Sequence, residues 1–217
     1  MSEQKFENWP AVLADLSEGR DLDSKTAEAA LMSVLRGEAT DAQLAAFVVA
    51  LRQKEETVDE LSGLVRAMRF ACIPINCSPE TIDLVGAGGS QMGRKAALNV
   101  STIASFVAAG AGAKVCKHGN RKASSTSGSF DLLEELSIAA ELTPEQVSRC
   151  VEEVGVGFAY ARSFHPAMRH ASQVRMELGI PTVFNLLGPL SHPASLTRQV
   201  VGVPIEATGK RMAEVLK

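Results

Sequence analysis

Two short segments carry residue types and spacings that could hold a highly charged ligand. Gly86-Ala87-Gly88-Gly89-Ser90 follows a run of apolar residues and leads, past Arg94 and Lys95, to Asn99-Val100-Ser101-Thr102. Glycines let backbone N–H groups turn toward an anion, and a helix opening at Ser101 would add unpaired N–H groups with partial positive charge. Taken alone, such a run serves equally well as a tight strand-to-helix turn. Its spacing matches neither the GxGxxG nor the Walker pattern, which counts against a dinucleotide or ATP fold. The second segment is Lys117-His118-Gly119-Asn120-Arg121-Lys122, followed by Ser124-Ser125-Thr126-Ser127-Gly128-Ser129. Cations and hydroxyls at the C-terminal end of a parallel strand can bind phosphates through charge-assisted hydrogen bonds; the alternative is a solvated basic turn. Read singly, His165 is a surface or core histidine, Arg175 a helix-face charge and Asn185-Leu186-Leu187-Gly188-Pro189 a turn.

The elements that must position these groups fall into two textures. The first seventy or so residues read as short amphipathic helices without strand-like alternation. The clearest opens at Thr57, with Glu60 three residues on as a capping box, and places Leu61, Leu64, Val65 and Met68 on one face before Pro74. Ser24 and Asp41 are expected to cap two more, whose stripes are Leu31, Val34 and Leu35, then Leu44, Phe47, Val48 and Leu51. These stripes read as core, or as a subunit interface if the small module leaves a face uncovered.

From Thr81 onward, short apolar strands, glycine turns and helices alternate, which predicts βα units around a mostly parallel sheet. Strands are expected over 81–85, 113–117, 156–160, 182–185 and 198–203, and helices over 101–111, 130–136, 144–154, 166–178 and 208–216. Thr143, Pro144 and Gln146 mark the start of the third of these helices. The expected fold is therefore α/β, a small N-terminal all-helical domain (1–73) followed by a sheet domain (74–217). The series stops on a helix directly after a strand, which predicts a sheet domain incomplete at its C-terminus.

Composition narrows the function classes. The formal net charge of the 217 residues is -3, which gives no global attraction to nucleic acid or an anionic membrane, so an anion site must be local. No run approaches the roughly 18 apolar residues that span a bilayer, and the polar start lacks a signal-peptide pattern, so a cytoplasmic setting is expected. Cys72, Cys77, Cys116 and Cys150 show no paired spacing and read as reduced, mostly buried thiols rather than a disulfide frame or zinc site.

The order of these segments, with Phe164-His165-Pro166, Arg175 to Gly179 and Phe184 to Leu190 after the basic loop, resembles the anthranilate phosphoribosyltransferases across nearly the whole chain. The resemblance implies phosphoribosyl pyrophosphate and Mg2+ as substrate and cofactor, anthranilate as acceptor, and a homodimer formed through the N-terminal helices. Carried over by position, Gly86, Gly89, Ser90, Asn99, Val100, Ser101, Thr102, Lys117, Ser125 and Ser129 would hold phosphoribosyl pyrophosphate, with the Ser101 hydroxyl a magnesium ligand. Gly86, Asn120, His165 and Arg175 would face anthranilate, and Lys117, His118 and Arg121 would serve catalysis. Two departures stand out. Ala87 and Ser90 replace the threonine and aspartate of the family's usual Gly-Thr-Gly-Gly-Asp loop, with a longer segment after them. The family's acidic pair for a second magnesium falls outside this chain. The alternatives are a truncated, non-catalytic relative that binds phosphoribosyl ligands or a partner, and a phosphoribosyltransferase or phosphorylase with another acceptor.

Overall fold

The computed structural model describes residues 6–87, 98–121 and 128–217. In chain order its elements are α1 (Trp9–Ser17), α2 (Ser24–Leu35), α3 (Asp41–Lys54), α4 (Val58–Phe70), β1 (Ile82–Gly86), α5 (Val100–Gly110), β2 (Val115–Gly119) and α6 (Ser129–Glu135). There follow α7 (Pro144–Val154), β3 (Val156–Tyr160), α8 (Ala161–Phe164), α9 (Arg169–Leu178), α10 (Phe184–Leu190), β4 (Arg198–Gly202) and α11 (Glu206–Val215). By contacts these group into two compact units. One comprises residues 1–72, 166–191 and 206–217, and the other 73–165 and 192–205. That grouping differs from a contiguous division at 73/74, because two later segments pack with the first helices.

In the helical unit each start has an identifiable cap. Thr57 and Glu60 form the expected capping box on α4. Two caps sit one residue ahead of expectation. Asp23, not Ser24, caps α2, its carboxylate accepting the Lys25 and Thr26 N–H groups at 2.9 and 2.8 Å. Thr40, not Asp41, caps α3, with Gln43 closing a capping box. A side chain one residue before the first helical turn is the one aimed back at the orphan N–H groups, and Asp23 and Thr40 occupy those places. All the residues named in the three apolar stripes are buried. Trp9 adds an edge-on contact to Phe47, with ring centroids 5.5 Å apart. Glu60 is a buried hub: it accepts the Leu22 N–H at 2.9 Å, the Thr57 N–H at 2.8 Å and the Lys54 ammonium at 2.9 Å. Helices α2 and α4 meet so closely at Gly63 that a Cβ there would collide with the Ser24 carbonyl.

Later segments join this unit. Helix α9 packs on α2 and α3, and α10 and α11 pack on α4. The Arg52 guanidinium donates to the Pro181 carbonyl, and Arg211 donates to the Glu56 carbonyl at 3.0 Å. The strand expected over 182–185 is instead the lead-in to α10. Asn185 turns its side chain back to accept the Thr182 N–H at 3.0 Å, and Val183 and Phe184 are buried by helix packing, not by a sheet. The helix expected over 166–178 is a 3-10 turn, Pro166–Met168, followed by α9.

The sheet unit is a four-stranded parallel sheet in the order β3-β2-β1-β4. Its apolar letters sort onto two faces at the period of two that a strand imposes. Phe158 and Tyr160 pack with Phe130 and Leu133, whereas Ala159 packs with Cys116, Val147, Val151 and Phe164. The expected capping box of Thr143 and Gln146 opens α7. All four cysteines are free thiols; Cys116 alone is fully buried and the other three are half-buried, because Cys72 and Cys77 lie in connecting chain and Cys150 on an outer turn of α7.

Candidate functional site

Within the sheet unit, the chemistry-bearing residues gather at the C-terminal ends of β1 and β2 and at the start of α5. Strand β1 ends on Gly86, opposite Gly202 of β4, and the Ala87 N–H donates to the Gly202 carbonyl at 2.8 Å. Helix α5 then opens with Asn99 as its N-cap residue. Ser101 is half-buried and Val100 exposed. Thr102 is 0% exposed. Its Oγ1 has no hydrogen-bond partner among the described residues. A buried hydroxyl without a partner costs free energy on the order of 1–3 kcal/mol, so this atom is suited to a ligand oxygen or an ordered water.

Lys117 is 2% exposed. Its Nζ donates to the Leu84 carbonyl at 2.7 Å. Burial pulls the ammonium down to about 8 from its ordinary 10.5, and the Asp83 carboxylate pulls the other way. The next residue, His118, is also buried, and its ring centroid lies 5.2 Å from that of His165 and 5.5 Å from that of His192. Both ring nitrogens of His192 have backbone partners. Its Nδ1 accepts the Ala194 N–H at 2.9 Å, and Nε2 donates to the Cys116 carbonyl, also at 2.9 Å.

Beyond Gly119 the basic loop turns on itself. The Arg121 N–H bonds to Asn120 Oδ1 at 2.8 Å, and the Ser129 hydroxyl donates to the Asn120 carbonyl at 3.2 Å. Gly119 is required there, since a Cβ would collide with the Ser129 hydroxyl. The Arg121 guanidinium pairs with Glu134, has Glu141 at 4.0 Å and lies 5.5 Å over the Tyr160 ring. Its charge is thus compensated by carboxylates.

The structure brings Gly86, Lys117, His118, Asn120, Arg121, Ser129 and His165 together in the sheet unit, with Asn99 to Thr102 on its first helix. Arg175 belongs to the helical unit, where α9 carries it and its guanidinium lies 5.0 Å over the Phe184 ring. Burial lowers the pKa of that guanidinium. Gly89, Ser90 and Ser125 lie outside the described residues. Among the described residues no group of three or more His, Cys, Asp or Glu could hold a metal ion. A magnesium held mainly by ligand phosphates, with one protein hydroxyl, fits this donor set better than one caged by the protein. A cavity of about 630 Å³ lies elsewhere, in the helical unit, lined in part by Lys25, Glu28, Met32, Arg36 and Phe70.

Three residues of this neighbourhood, Asp83, His192 and Gln199, have no place in the motifs read from sequence. Asp83 left a usable signal, an acid inside an otherwise apolar run that reads as a strand. His192 and Gln199 left none.

The chain matches the helical bundle domain of the glycosyl transferase family over residues 10–72 and the family's a/b domain over 78–217. It is 48% identical to the anthranilate phosphoribosyltransferase of Arthrobacter sp. (strain FB24), over 96% of this chain and 58% of that protein. Its identity to the enzyme of the same name from Streptomyces griseus is 50%, over 90% of this chain and 54% of that one. Among solved structures, anthranilate phosphoribosyltransferase from Thermus thermophilus superposes with a TM-score of 0.87 at 43% identity, covering 94% of this chain and 62% of that one. The Saccharomyces cerevisiae enzyme in complex with PRPP and Mg gives 0.84 at 28% identity, covering 98% and 63%. The chain thus spans about 60% of the length of these relatives. It belongs to the glycosyl transferase family of joined helical-bundle and a/b domains, and it is similar to that family's anthranilate phosphoribosyltransferases over nearly its whole length.

Proposed function

We propose that the protein transfers the phosphoribosyl group of phosphoribosyl pyrophosphate to the amine of anthranilate, giving N-(5-phosphoribosyl)anthranilate and pyrophosphate. The supporting observation is Lys117: a buried ammonium midway along the parallel strand β2, in a unit whose first helix starts with a buried Thr102 hydroxyl that has no partner among the described residues. Such a cation is preorganised for an anion and is held out of water until one arrives. In this reading Gly86, Gly89, Ser90, Asn99, Val100, Ser101, Thr102, Ser125 and Ser129 bind phosphoribosyl pyrophosphate with Lys117. Gly86, Asn120, His165 and Arg175 face anthranilate, and His118 and Arg121 flank the reacting groups. Arg175, stacked on Phe184, would keep the edge of its planar fork for a carboxylate.

Anthranilate's aromatic amine is neutral at pH 7, so the attack needs no strong base. The barrier lies in parting the ribose carbon from pyrophosphate, which leaves with the electron pair while the ribose takes on oxocarbenium character. Lys117 and the N–H groups at the start of α5 would stabilise the charge that develops on the leaving group, and Asn120 and Arg175 would orient the acceptor. Magnesium, with the Ser101 hydroxyl as a ligand, would neutralise further charge on the pyrophosphate. The reading includes a cytoplasmic homodimer joined through the N-terminal helices. It is supported by the resemblance and by the exposed Phe70 on α4. No helix among the described residues is long and apolar enough to cross a membrane.

The test is anthranilate fluorescence, followed with phosphoribosyl pyrophosphate and magnesium on the full-length protein. Saturable loss of signal is expected. Binding of phosphoribosyl pyrophosphate without turnover would favour the non-catalytic relative, and failure to bind it would overturn the reading altogether.

A further inference from the structure

Strands β1 and β4 pair along five residues, from Ile82 with Arg198 to Gly86 with Gly202, and β2 and β3 pair likewise from Val115 with Val156 to Gly119 with Tyr160. Between β1 and β2 the register holds at Ile82 and Val115, and among the described residues no further Cα pair follows it. The backbone ladder between the two central strands therefore ends before Lys117 and His118. Side chains bridge the gap where a backbone ladder would have run. Asp83, 0% exposed, accepts the His118 N–H on Oδ1 at 3.1 Å and the Gln199 side-chain N–H on Oδ2 at 2.8 Å. From the other strand Lys117 reaches the Leu84 carbonyl at 2.7 Å. On the same edge of β2, which faces β1, the His192 ring donates to the Cys116 carbonyl at 2.9 Å.

We propose that Asp83 is a positioning residue for the transfer reaction: its buried carboxylate, clamped by Gln199, bridges β1 and β2 where their backbone ladder ends and so sets where Lys117 and His118 meet the substrate. This inference rests on the function proposed above. Burying a carboxylate is costly, and a leucine or valine would fill a parallel strand more favourably. The compensation is specific. Both oxygens accept hydrogen bonds, and the negative charge keeps a desolvated Lys117 from losing its proton more readily still. An asparagine could reproduce the hydrogen bonds, once the Gln199 amide turned over, but not the charge. Among the described residues the other ionisable groups around the gap are Cys116 and His118 on β2, His165 after α8 and His192 before β4.

Asp83→Asn, made in the full-length protein, separates a positioning role from a bystander's. Its kcat/KM for phosphoribosyl pyrophosphate should fall about tenfold or more, as for loss of a preorganised electrostatic contact. The alkaline limb of its pH profile should also move to lower pH, because Lys117 loses the carboxylate that opposes its deprotonation. Adding Gln199→Glu to Asp83→Asn returns a charge to the gap and should move the limb back. The Lys117 titration, read from its side-chain carbon resonance without substrate, should shift in the same sense. That readout distinguishes failure of this inference from failure of the proposed reaction, since it needs no turnover. Should Asp83→Asn not fold, Gln199→Met keeps the carboxylate but removes its clamp, and kcat/KM should drop about threefold to tenfold with the limb in place. An unmoved limb and an unmoved Lys117 titration in Asp83→Asn, or unchanged kinetics in Gln199→Met, would overturn the proposal.

Discussion

Lys117 is a residue the fold would be more stable without. Its ammonium titrates near 8 in the folded chain against an ordinary 10.5, so below pH 8 the folded state carries a charge that the unfolded state accommodates better. The penalty is present in full below the folded pKa. It shrinks as pH rises from about 8 toward 10.5, where the unfolded chain loses its proton as well. By linkage that shift corresponds to roughly 3 kcal/mol, offset in part by the bond to the Leu84 carbonyl. Lys117→Met should therefore stabilise the protein by about 1–3 kcal/mol in urea unfolding at pH 7, with the advantage fading by pH 10.5, while binding of phosphoribosyl pyrophosphate is lost. A variant less stable than the wild type at pH 7 would show that the ammonium is not under strain. Lys117 and His118 stood out in the sequence as candidates because a basic cluster after an apolar run can bind phosphates, with a solvated basic turn as the alternative. Asp83 was not legible as a partner, because contact between β1 and β2 joins residues 35 apart in sequence that no local spacing relates.

At the scale of elements, what was readable was what is local. The Thr57–Glu60 and Thr143–Gln146 capping boxes and the apolar stripes of α2, α3 and α4 depend on neighbours three and four residues away, and each has the expected form. The stretch 182–185 shows the reverse case. Thr182, Val183 and Phe184 have strand-forming side chains, yet the Asn185 cap and burial against helices outweigh that preference. Gly63 shows what close packing adds to a helix whose pattern is already clear. Nothing in the α4 stripe calls for a glycine, and glycine in mid-helix is unfavourable by roughly 0.5–1 kcal/mol relative to alanine. Its reason is the Ser24 backbone, which occupies the space of a Cβ. Gly63→Ala should therefore destabilise the helical unit by about 2 kcal/mol or more despite its better propensity, measured as a fall in the urea midpoint at unchanged slope. A gain in stability would mean that α2 and α4 can separate freely at this point. The Lys117 titration, in the other unit, should not move.

Over the whole molecule, chain order and physical grouping part company. The family matches run contiguously, over 10–72 and 78–217, as did the texture change in the sequence. Contacts instead gather 166–191 and 206–217 with the first four helices. Sequence pattern sees a βα series continue past Tyr160, because helices α9 and α11 look alike whether they cover a sheet or other helices. Only tertiary contacts distinguish the cases: α9 lies on α2 and α3, and α11 is tied to the segment before α4 through Arg211 and the Glu56 carbonyl. Elements that share a core should open together, since losing one exposes the apolar surface of the rest. Hydrogen exchange in rising urea should then show the amides of α9 and α11 losing protection in step with α2 and α4, whereas β1 to β4 form a separate cooperative group. Peptides covering Arg169–Leu178 and Glu206–Val215 report this directly by mass spectrometry, with those covering Val115–Gly119 as the comparison. Exchange of α9 and α11 in step with the strands would mean that the later chain unfolds as the contiguous domain its order implies, and that the contacts on α2, α3 and α4 contribute little to its stability.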